Sequence, residues 1–309
     1  MSETVPISDQ RILLTGASGL LGFALAPALR ESGARMAGVW STRPLDAPDA
    51  ESRRCDLRDA VAVRALFDDV QPSCVVHAAA LTDLGLCERE PQLAHSINVD
   101  ATATVAAESA RVGASMIHVS SESVYGDGPA PHRESDACRP LSVYARTKLE
   151  GEEQALRHAP DPLVLRTTIV GTAPSDSRSL VAWLLSSFQR GTPVRGFQDV
   201  SFSPLFTRDF SRLLIAAFGQ RLTGIWNLGA SSACSKFEFA RLLAESLGFD
   251  PELVQPGLLA DAALKGPRCY QSALASDRFA AKTGMVLPTV QDGIARFAAA
   301  HADLAVSHS

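Results

Sequence analysis

A glycine-rich loop between a predicted strand and a predicted helix constrains the fold of this chain most strongly. The apolar residues 11–14 lead into Thr-Gly-Ala-Ser-Gly-Leu-Leu-Gly at 15–22, and an apolar helical pattern follows. Glycines at 16, 19 and 22 allow a tight turn, a close approach of backbone amides to a pyrophosphate, and close packing of helix on strand. The helix amino terminus adds partial positive charge. The loop therefore predicts a dinucleotide-binding unit.

The same alternation of strand and helix continues to about residue 170. Short apolar runs predict strands near 11–14, 35–40, 74–77, 115–119 and 163–167, and helical patterns cover 19–32, 59–70, 92–112 and 142–158. At 309 residues and 46% apolar content, the chain has ample material for a core. The predicted fold class is α/β, a Rossmann-type doubly wound parallel sheet with a smaller, discontinuous second domain.

The pattern becomes irregular beyond residue 171. Helices are predicted near 179–190, 207–218 and 235–248, a strand near 225–228, and a Pro- and Gly-containing stretch up to 204. The last residues, 301–309, have little to bury, so we expect a frayed tail there.

Tyr144 and Lys148 are four residues apart in the predicted helix 142–158 and therefore share one of its faces. A neighbouring ammonium favours phenolate and would lower the pKa of the tyrosine, which suits proton exchange with a substrate oxygen. In isolation, the pair is better explained by an ordinary amphipathic helix with Tyr144 half buried and Lys148 in solvent.

Ser121 follows the apolar strand 116–119. In a doubly wound sheet, ligands bind at the carboxyl ends of the strands, so a hydroxyl there can hydrogen-bond the carbonyl that Tyr144 protonates. A serine turn that closes the strand is the alternative.

These motifs together resemble the extended short-chain dehydrogenase/reductase superfamily, of the sugar-nucleotide-modifying type. Within it, the chain is most similar to the dTDP-4-dehydrorhamnose reductases, a sugar-nucleotide reductase subfamily, through Cys-Glu-Arg-Glu-Pro at 87–91, which leads to Asn98, and through Arg-Thr-Thr at 166–168. The resemblance implies hydride transfer between a nicotinamide and the 4-keto group of a deoxysugar nucleotide. Ser121 would polarise the carbonyl, Tyr144 would donate the proton, and Lys148 would hold the nicotinamide ribose.

The resemblance also implies how the chain is divided and which residues bind the cofactor. Residues 1–170 would form the nucleotide domain, 205–230 would return to it, and 171–204 with 231–300 would form a substrate-binding cap. A homodimer is a further expectation. The candidate cofactor-binding residues are Gly16, Ser18, Gly19, Leu20, Leu21, Gly22, Ser41, Arg43, Asp56, Leu57, Ala78, Ala79, Ala80, Asn98, Tyr144, Lys148 and Thr167.

Four of these positions carry specific expectations, three of them about the adenosine end of the cofactor. No acidic residue ends the second strand, where Ser41 and Arg43 stand instead, and a guanidinium suits a 2'-phosphate; this favours NADP(H) over NAD(H). Asp56 is either the N-cap of the helix that starts near Asp59 or, by resemblance, an acceptor for the adenine amino group. Asn98 is either a hydrogen-bond link that supports the active site or an exposed helix residue.

Other functions remain alternatives. An NAD-dependent sugar-nucleotide epimerase resembles the stretch 120–126, and a non-catalytic NADP-binding regulatory subunit resembles the same reductases. Sugar-nucleotide dehydratases need an acidic pair after the catalytic hydroxyl, whereas Glu122 is followed by Ser123. The stretch 267–275 matches the family loosely, so Arg268 could contact a substrate phosphate or lie in a solvated loop.

Charge and composition exclude several other classes. A net charge of −5 gives no basic surface for nucleic acid or an anionic membrane. The six cysteines include no C-x-x-C pair, the seven histidines show no metal-ligand spacing, and no apolar run approaches 18 residues. The amino terminus lacks a basic and then apolar leader. We therefore expect a cytoplasmic protein without a metal site, in which His77 and His118 are satisfied structural residues.

Overall fold

Alternating strands and helices build the computed structural model of this chain, which describes residues 7–44, 51–173, 179–262 and 266–306. The strands are β1 (Arg11–Thr15), β2 (Arg35–Trp40), β3 (Glu51–Arg54), β4 (Cys74–His77), β5 (Ser115–Ser121), β6 (Leu163–Thr167), β7 (Ile169–Val170), β8 (Val194–Phe197), β9 (Ser201–Phe202), β10 (Leu205–Phe206), β11 (Gly224–Leu228), β12 (Cys234–Ser235), β13 (Val254–Gly257) and β14 (Gln271–Ser272).

The α-helices connect these strands and cover the sheet. They are α1 (Leu20–Glu31), α2 (Ala60–Val70), α3 (Leu84–Arg89), α4 (Pro91–His95), α5 (Ala101–Val112), α6 (Val143–His158), α7 (Leu180–Gln189), α8 (Thr207–Gly219), α9 (Lys236–Ser246), α10 (Asp277–Thr283) and α11 (Val290–Val306). None of the helices in the described segments is both long and apolar enough to cross a membrane.

Seven parallel strands form the central sheet, in the order β11-β6-β5-β4-β1-β2-β3. The chain runs outward from β1 to β3 and then returns to β4 on the other side of β1. A topological switch point of this kind opens a crevice at the carboxyl ends of the strands. The α/β fold class is therefore confirmed, and the crevice lies where the glycine-rich loop leaves β1.

Two apolar layers fix the helices on the sheet. On one face, α1 packs against α8, and their buried residues join the largest core cluster. On the other face, α2, α5 and α6 pack side by side over a second cluster. Since both faces are covered, the central strands are buried and read as apolar runs in the sequence.

The carboxyl-terminal half contributes to the central sheet and also forms small sheets of its own. β11 is the edge strand next to β6, so residues 224–228 extend the central sheet. β10 pairs with β7, β13 pairs with β8, and β9 lies between β12 and β14. The isolated bridge between His132 and Leu274 joins the two halves of the chain.

Three details differ from the sequence-based expectations. The helix expected at 92–112 is divided into α4, a π-helical turn at Ser96–Asp100, and α5. The tail expected to fray from 301 is helical to Val306, whereas 307–309 and the amino-terminal residues 1–6 lie outside the described residues. His77 is satisfied by Thr15 and Thr102, but neither ring nitrogen of His118 has a hydrogen-bond partner among the described residues.

Candidate active site

A cleft of about 1210 Å³ opens at the carboxyl ends of the central strands. Its lining includes every candidate site residue from the sequence except Asn98. These lining residues are Gly16, Ser18, Gly19, Leu20, Leu21, Gly22, Ser41, Arg43, Asp56, Leu57, Ala78, Ala79, Ala80, Ser121, Tyr144, Lys148 and Thr167. Residues that are up to about 150 positions apart in the chain therefore face one space, because parallel strands end at the same edge of the sheet.

The glycine-rich loop packs tightly against the end of β4. Gly16 has a φ of +70°, and a Cβ there would lie 2.8 Å from the Ala79 backbone. A Cβ on Gly22 would lie 2.3 Å from the Gly16 carbonyl oxygen. Larger side chains cannot occupy either position without moving the backbone, so the loop keeps the amides at the start of α1 open to the cleft.

At the end of β6, the cleft offers a buried polar group that has no protein partner in the described part of the chain. The Thr167 hydroxyl, at the end of β6, is buried and has no hydrogen-bond partner among the described residues. A buried polar atom of this kind normally finds a partner, and a carboxamide would provide one. The glycine cradle at one end and this hydroxyl at the other fit a nicotinamide dinucleotide.

Ser121 ends β5 and starts a short hydrogen-bonded turn. Its hydroxyl donates to Glu122 Oε2 at 2.9 Å, lies 2.8 Å from Ser123 Oγ, and accepts from the Ser123 amide at 3.2 Å. Burial raises the pKa of Glu122, although Ser121 and the nearby Lys236 act in the opposite direction. Ser121 is thereby held at the strand end with a carboxyl group beside it.

The amino terminus of α6 is capped on two sides. Ser142 Oγ accepts from the Ala145 amide at 3.1 Å, and Glu88 of α3 accepts from the Val143 amide at 2.8 Å. Side-chain caps satisfy amides that an isolated helix would leave without partners. The first turn of α6, which carries Tyr144, is thus fixed from two separate segments.

The protonation state of Tyr144 differs from the sequence-based expectation. Burial and the nearby Glu122 raise the pKa of Tyr144, and the proximity of Ser121 only partly offsets this. The prediction that Lys148 lowers this pKa is wrong for this arrangement, because the Lys148 ammonium donates to the Val119 carbonyl at 2.7 Å. A raised pKa keeps the phenol protonated at neutral pH, which is the form that can donate a proton.

Lys148 itself is buried, with 3% of its surface exposed. Burial lowers the pKa of Lys148 to about 8, and the attraction of Glu152 acts against that fall. Taking an ammonium out of water disfavours its charged form, whereas a neighbouring carboxylate restores it. Lys148 therefore titrates close to the physiological range.

Asn98 does not line the cleft. Its amide accepts from the Leu81 backbone N–H at 2.8 Å and donates to the Leu81 carbonyl at 3.2 Å and to Thr147 Oγ1 at 3.0 Å. The residue lies on the π-helical turn that interrupts the predicted long helix. Its geometry matches the hydrogen-bond link rather than a cofactor contact, since it fastens the loop after β4 to α6.

The structure changes the interpretation of Asp56, which lines the cleft just after β3. Asp59, and not Asp56, caps α2, because its Oδ1 accepts from the Val61 and Ala62 amides. Both oxygens of Asp56 accept from Arg58, at 2.9 and 2.6 Å, and these bonds lower the Asp56 pKa. The N-cap interpretation of Asp56 is therefore wrong.

The sequence did not identify several residues that line the cleft, and it left the position of Arg268 undecided. Arg58, Thr168, Ser179 and Arg268 also line it. Arg58 directly follows Asp56-Leu57 after the end of β3, so this residue could have been recognised from the sequence as a candidate for the cleft. Ser179 comes from a segment far from any predicted strand end, and only the folded chain brings it to the cleft.

Comparison with known proteins agrees with this architecture. The family model described as the RmlD substrate binding domain matches residues 10–302. A dTDP-4-dehydrorhamnose reductase from Mycolicibacterium smegmatis is 31% identical over 253 residues, which cover 81% of this chain and 73% of that protein. A methionine adenosyltransferase 2 subunit beta from Xenopus tropicalis is 30% identical over 263 residues, covering 83% and 78%.

Solved structures share the fold over nearly the whole chain. A dTDP-4-dehydrorhamnose reductase from Bacillus anthracis in complex with NADP has a TM-score of 0.81 at 21% identity and covers 93% of this chain and 98% of its own. MoeE5 in complex with UDP-glucuronic acid and NAD has a TM-score of 0.80 at 25% identity, with coverage of 95% and 99%. The matched family model spans both halves of the sequence, and this chain therefore belongs to the RmlD substrate-binding domain family.

Proposed function

We propose that this protein is an NADPH-dependent reductase that acts on the 4-keto group of a deoxysugar nucleotide. The observation that carries the proposal is that Ser121, Tyr144 and Lys148 line the same cleft as the glycine-rich loop. Family membership and the reductase among the relatives support the reaction and the substrate class.

Each catalytic candidate has a role that follows from its position. When bound, the nicotinamide cofactor supplies the hydride. The Ser121 hydroxyl, which donates to Glu122 in this structure, turns to donate a hydrogen bond to the carbonyl oxygen, and Tyr144, whose pKa is raised, gives that oxygen its proton. Lys148 lies on the same face of α6 and, as a cation, binds the ribose hydroxyls.

Replacing Tyr144 by Phe tests the reaction. Tyr144→Phe keeps the ring and removes the proton, so we expect kcat to fall by about 10²- to 10⁴-fold, while NADPH affinity stays within about threefold. NADPH oxidation across a panel of 4-keto sugar nucleotides measures kcat, and fluorescence titration measures the affinity for NADPH. Tyr125→Phe is the control, because its hydroxyl bonds Asn227 outside the cleft. Full activity of Tyr144→Phe would rule out the proposed mechanism.

Arg43 and Ser41 support the choice of NADP(H). Both line the cleft at the end of β2, where an acidic residue would repel a 2'-phosphate. Arg43→Ala should weaken NADPH binding by about 10- to 100-fold, which corresponds to the loss of a charge-assisted hydrogen bond, and should leave NADH binding unchanged. Arg54→Ala is the control, since Arg54 lies near Trp40 but not in the cleft lining. A preference for NADH that persists in Arg43→Ala would contradict the assignment.

A non-catalytic regulatory subunit is the second candidate function, because a methionine adenosyltransferase 2 subunit beta is among the relatives. The presence of Ser121, Tyr144 and Lys148 in one cleft favours the reductase. Turnover by the isolated protein separates the two functions. A protein that binds NADPH, reduces no keto-sugar nucleotide, and co-purifies with a partner enzyme would be the regulatory subunit.

A further inference from the structure

The helix that carries Tyr144 and Lys148 presents a third polar residue on the same face. Glu152 follows Lys148 by four residues on α6, as Lys148 follows Tyr144, so the three side chains form one row. Glu152 is 1% exposed and does not line the cleft. It lies beneath the site, where it touches neither the cofactor space nor the substrate space.

The carboxylate of Glu152 is fixed from the two strands below the helix. Arg166 of β6 donates to it from Nε at 3.0 and 3.1 Å and from Nη2 at 2.6 Å. Ser120 of β5, the neighbour of Ser121, also donates to Oε1, at 2.5 Å. The Arg166 guanidinium in turn stacks 4.8 Å from the centre of the Tyr125 ring. These contacts hold the carboxylate of Glu152 in a single position relative to α6.

Lys148 has few other groups that could stabilise its charge. Its ammonium donates to the Val119 carbonyl at 2.7 Å. His77 of β4 and His118 of β5 face it, and both rings are kept neutral by burial and by the Lys148 charge itself. Tyr144 on its own helix is protonated, and Glu122 acts on Tyr144 rather than on Lys148. Within the described segments, Glu152 is therefore the anion that supports the Lys148 cation.

We propose that Glu152 is a positioning residue of the reductase site, which holds Lys148 in its cationic form and thereby sets the alkaline limit of the reaction. Arg166 and Ser120 hold the carboxylate in place. The inference rests on the proposed function for its catalytic part, because that function assigns Lys148 to the nicotinamide ribose. A buried ion pair is weak evidence for a stabilising role, so a role in tuning Lys148 accounts better for its place in the row.

The sign of the effect follows from the Lys148 pKa of about 8. Lys148 acts as a cation, so activity declines as the pH rises through its pKa. Without the Glu152 charge, burial acts unopposed and the pKa falls further. In Glu152→Gln, we expect the Lys148 pKa and the alkaline limb of kcat/KM to move down together by about one pH unit or more, the range of a close opposite charge.

The chain allows a direct test, because it contains four lysines: Lys148, Lys236, Lys265 and Lys282. Lysine labelled with ¹³C at Cε gives few NMR resonances, and Lys148→Met assigns the one of interest. The pH titration of the Lys148 resonance in the full-length protein reports the Lys148 pKa without any substrate. Glu153→Gln is the matched control, since Glu153 is the next residue of α6, carries the same charge and is exposed. We expect no resolvable shift in that variant.

Two further variants separate charge from packing. Glu152→Asp keeps the charge and should keep the alkaline limb near that of the native protein, whereas a purely structural role would be disturbed by the shorter side chain. If Glu152→Gln does not fold because Arg166 is left unpaired, the double variant Glu152→Gln with Arg166→Gln removes both charges. Its Lys148 pKa should also fall, but by less than in Glu152→Gln alone, because removal of the Arg166 cation acts in the opposite direction.

The outcomes are distinct. A Lys148 pKa unchanged in Glu152→Gln, or in the double variant, overturns the proposal. If the Lys148 pKa falls but the alkaline limb of kcat/KM does not move, the catalytic part of the proposal is overturned. If the native protein reduces no keto-sugar nucleotide, the proposed function fails, and the NMR titration still decides whether Glu152 supports the Lys148 cation.

Discussion

Two arginine–carboxylate pairs of nearly the same geometry lie in opposite environments. The Arg166–Glu152 pair and the Arg58–Asp56 pair both have an Nη2-to-oxygen distance of 2.6 Å. Their side chains are 4% and 2% exposed in the first pair, and 48% and 43% exposed in the second. Because the distances agree, the contrast isolates the effect of solvent on an ion pair.

Water changes what each pair does for the protein. In the exposed pair, solvent and salt screen the attraction, and its contribution to stability is about 0–1 kcal/mol. In the buried pair, both charges have lost their hydration, so each depends on the other. The exposed pair is therefore a feature of the cleft surface, whereas the buried pair ties α6 to the sheet beneath Tyr144 and Lys148.

Removal of one partner of the buried pair should have the largest effect on stability. Arg166→Met keeps an unbranched apolar side chain of similar length but leaves the Glu152 carboxylate buried without its cation. We expect the free energy of unfolding to fall by about 3–5 kcal/mol, measured by urea denaturation. This would be a large share of the stability of a typical domain.

The double variant Arg166→Met with Glu152→Met is the control for that experiment. Since it buries no charge, it should recover most of the loss, as apolar replacements of whole ion pairs often do. A single variant that loses less than about 1 kcal/mol would mean that water reaches Glu152, and the contrast between the two pairs would disappear.

Much of the fold could be predicted because its strands are buried on both faces. The expected strands at 35–40, 74–77 and 163–167 coincide with β2, β4 and β6, since buried parallel strands are continuous apolar runs. The π-helical turn at Ser96–Asp100 could not be predicted, because its residues continue the periodicity of the neighbouring helices. Hydrogen bonds of Asn98 to the loop after β4 accompany this turn, and these are tertiary contacts.

The candidate site likewise has features that the sequence predicts and features that it does not. The glycine-rich loop, Ser121 and Tyr144 with Lys148 could be predicted because local sequence places them at strand ends or on one helix face. The pairing of Glu152 with Arg166 depends on how α6 lies on β6, and the raised pKa of Tyr144 depends on burial near Glu122. Neither relation has a local pattern, so the residues that line the cleft were predictable and the electrostatics of the cleft were not.

The exposed pair should give the smallest effect. Arg58→Ala removes the partner of Asp56 but leaves that carboxylate hydrated, so the free energy of unfolding should change by no more than about 1 kcal/mol in the same urea assay. Arg64→Ala, an exposed arginine of α2, is the matched control. The difference between the two variants should shrink further in 1 M salt, where the screening length is about 3 Å. A loss of more than 2 kcal/mol in Arg58→Ala that persists in salt would show that geometry, and not exposure, sets the strength of these pairs.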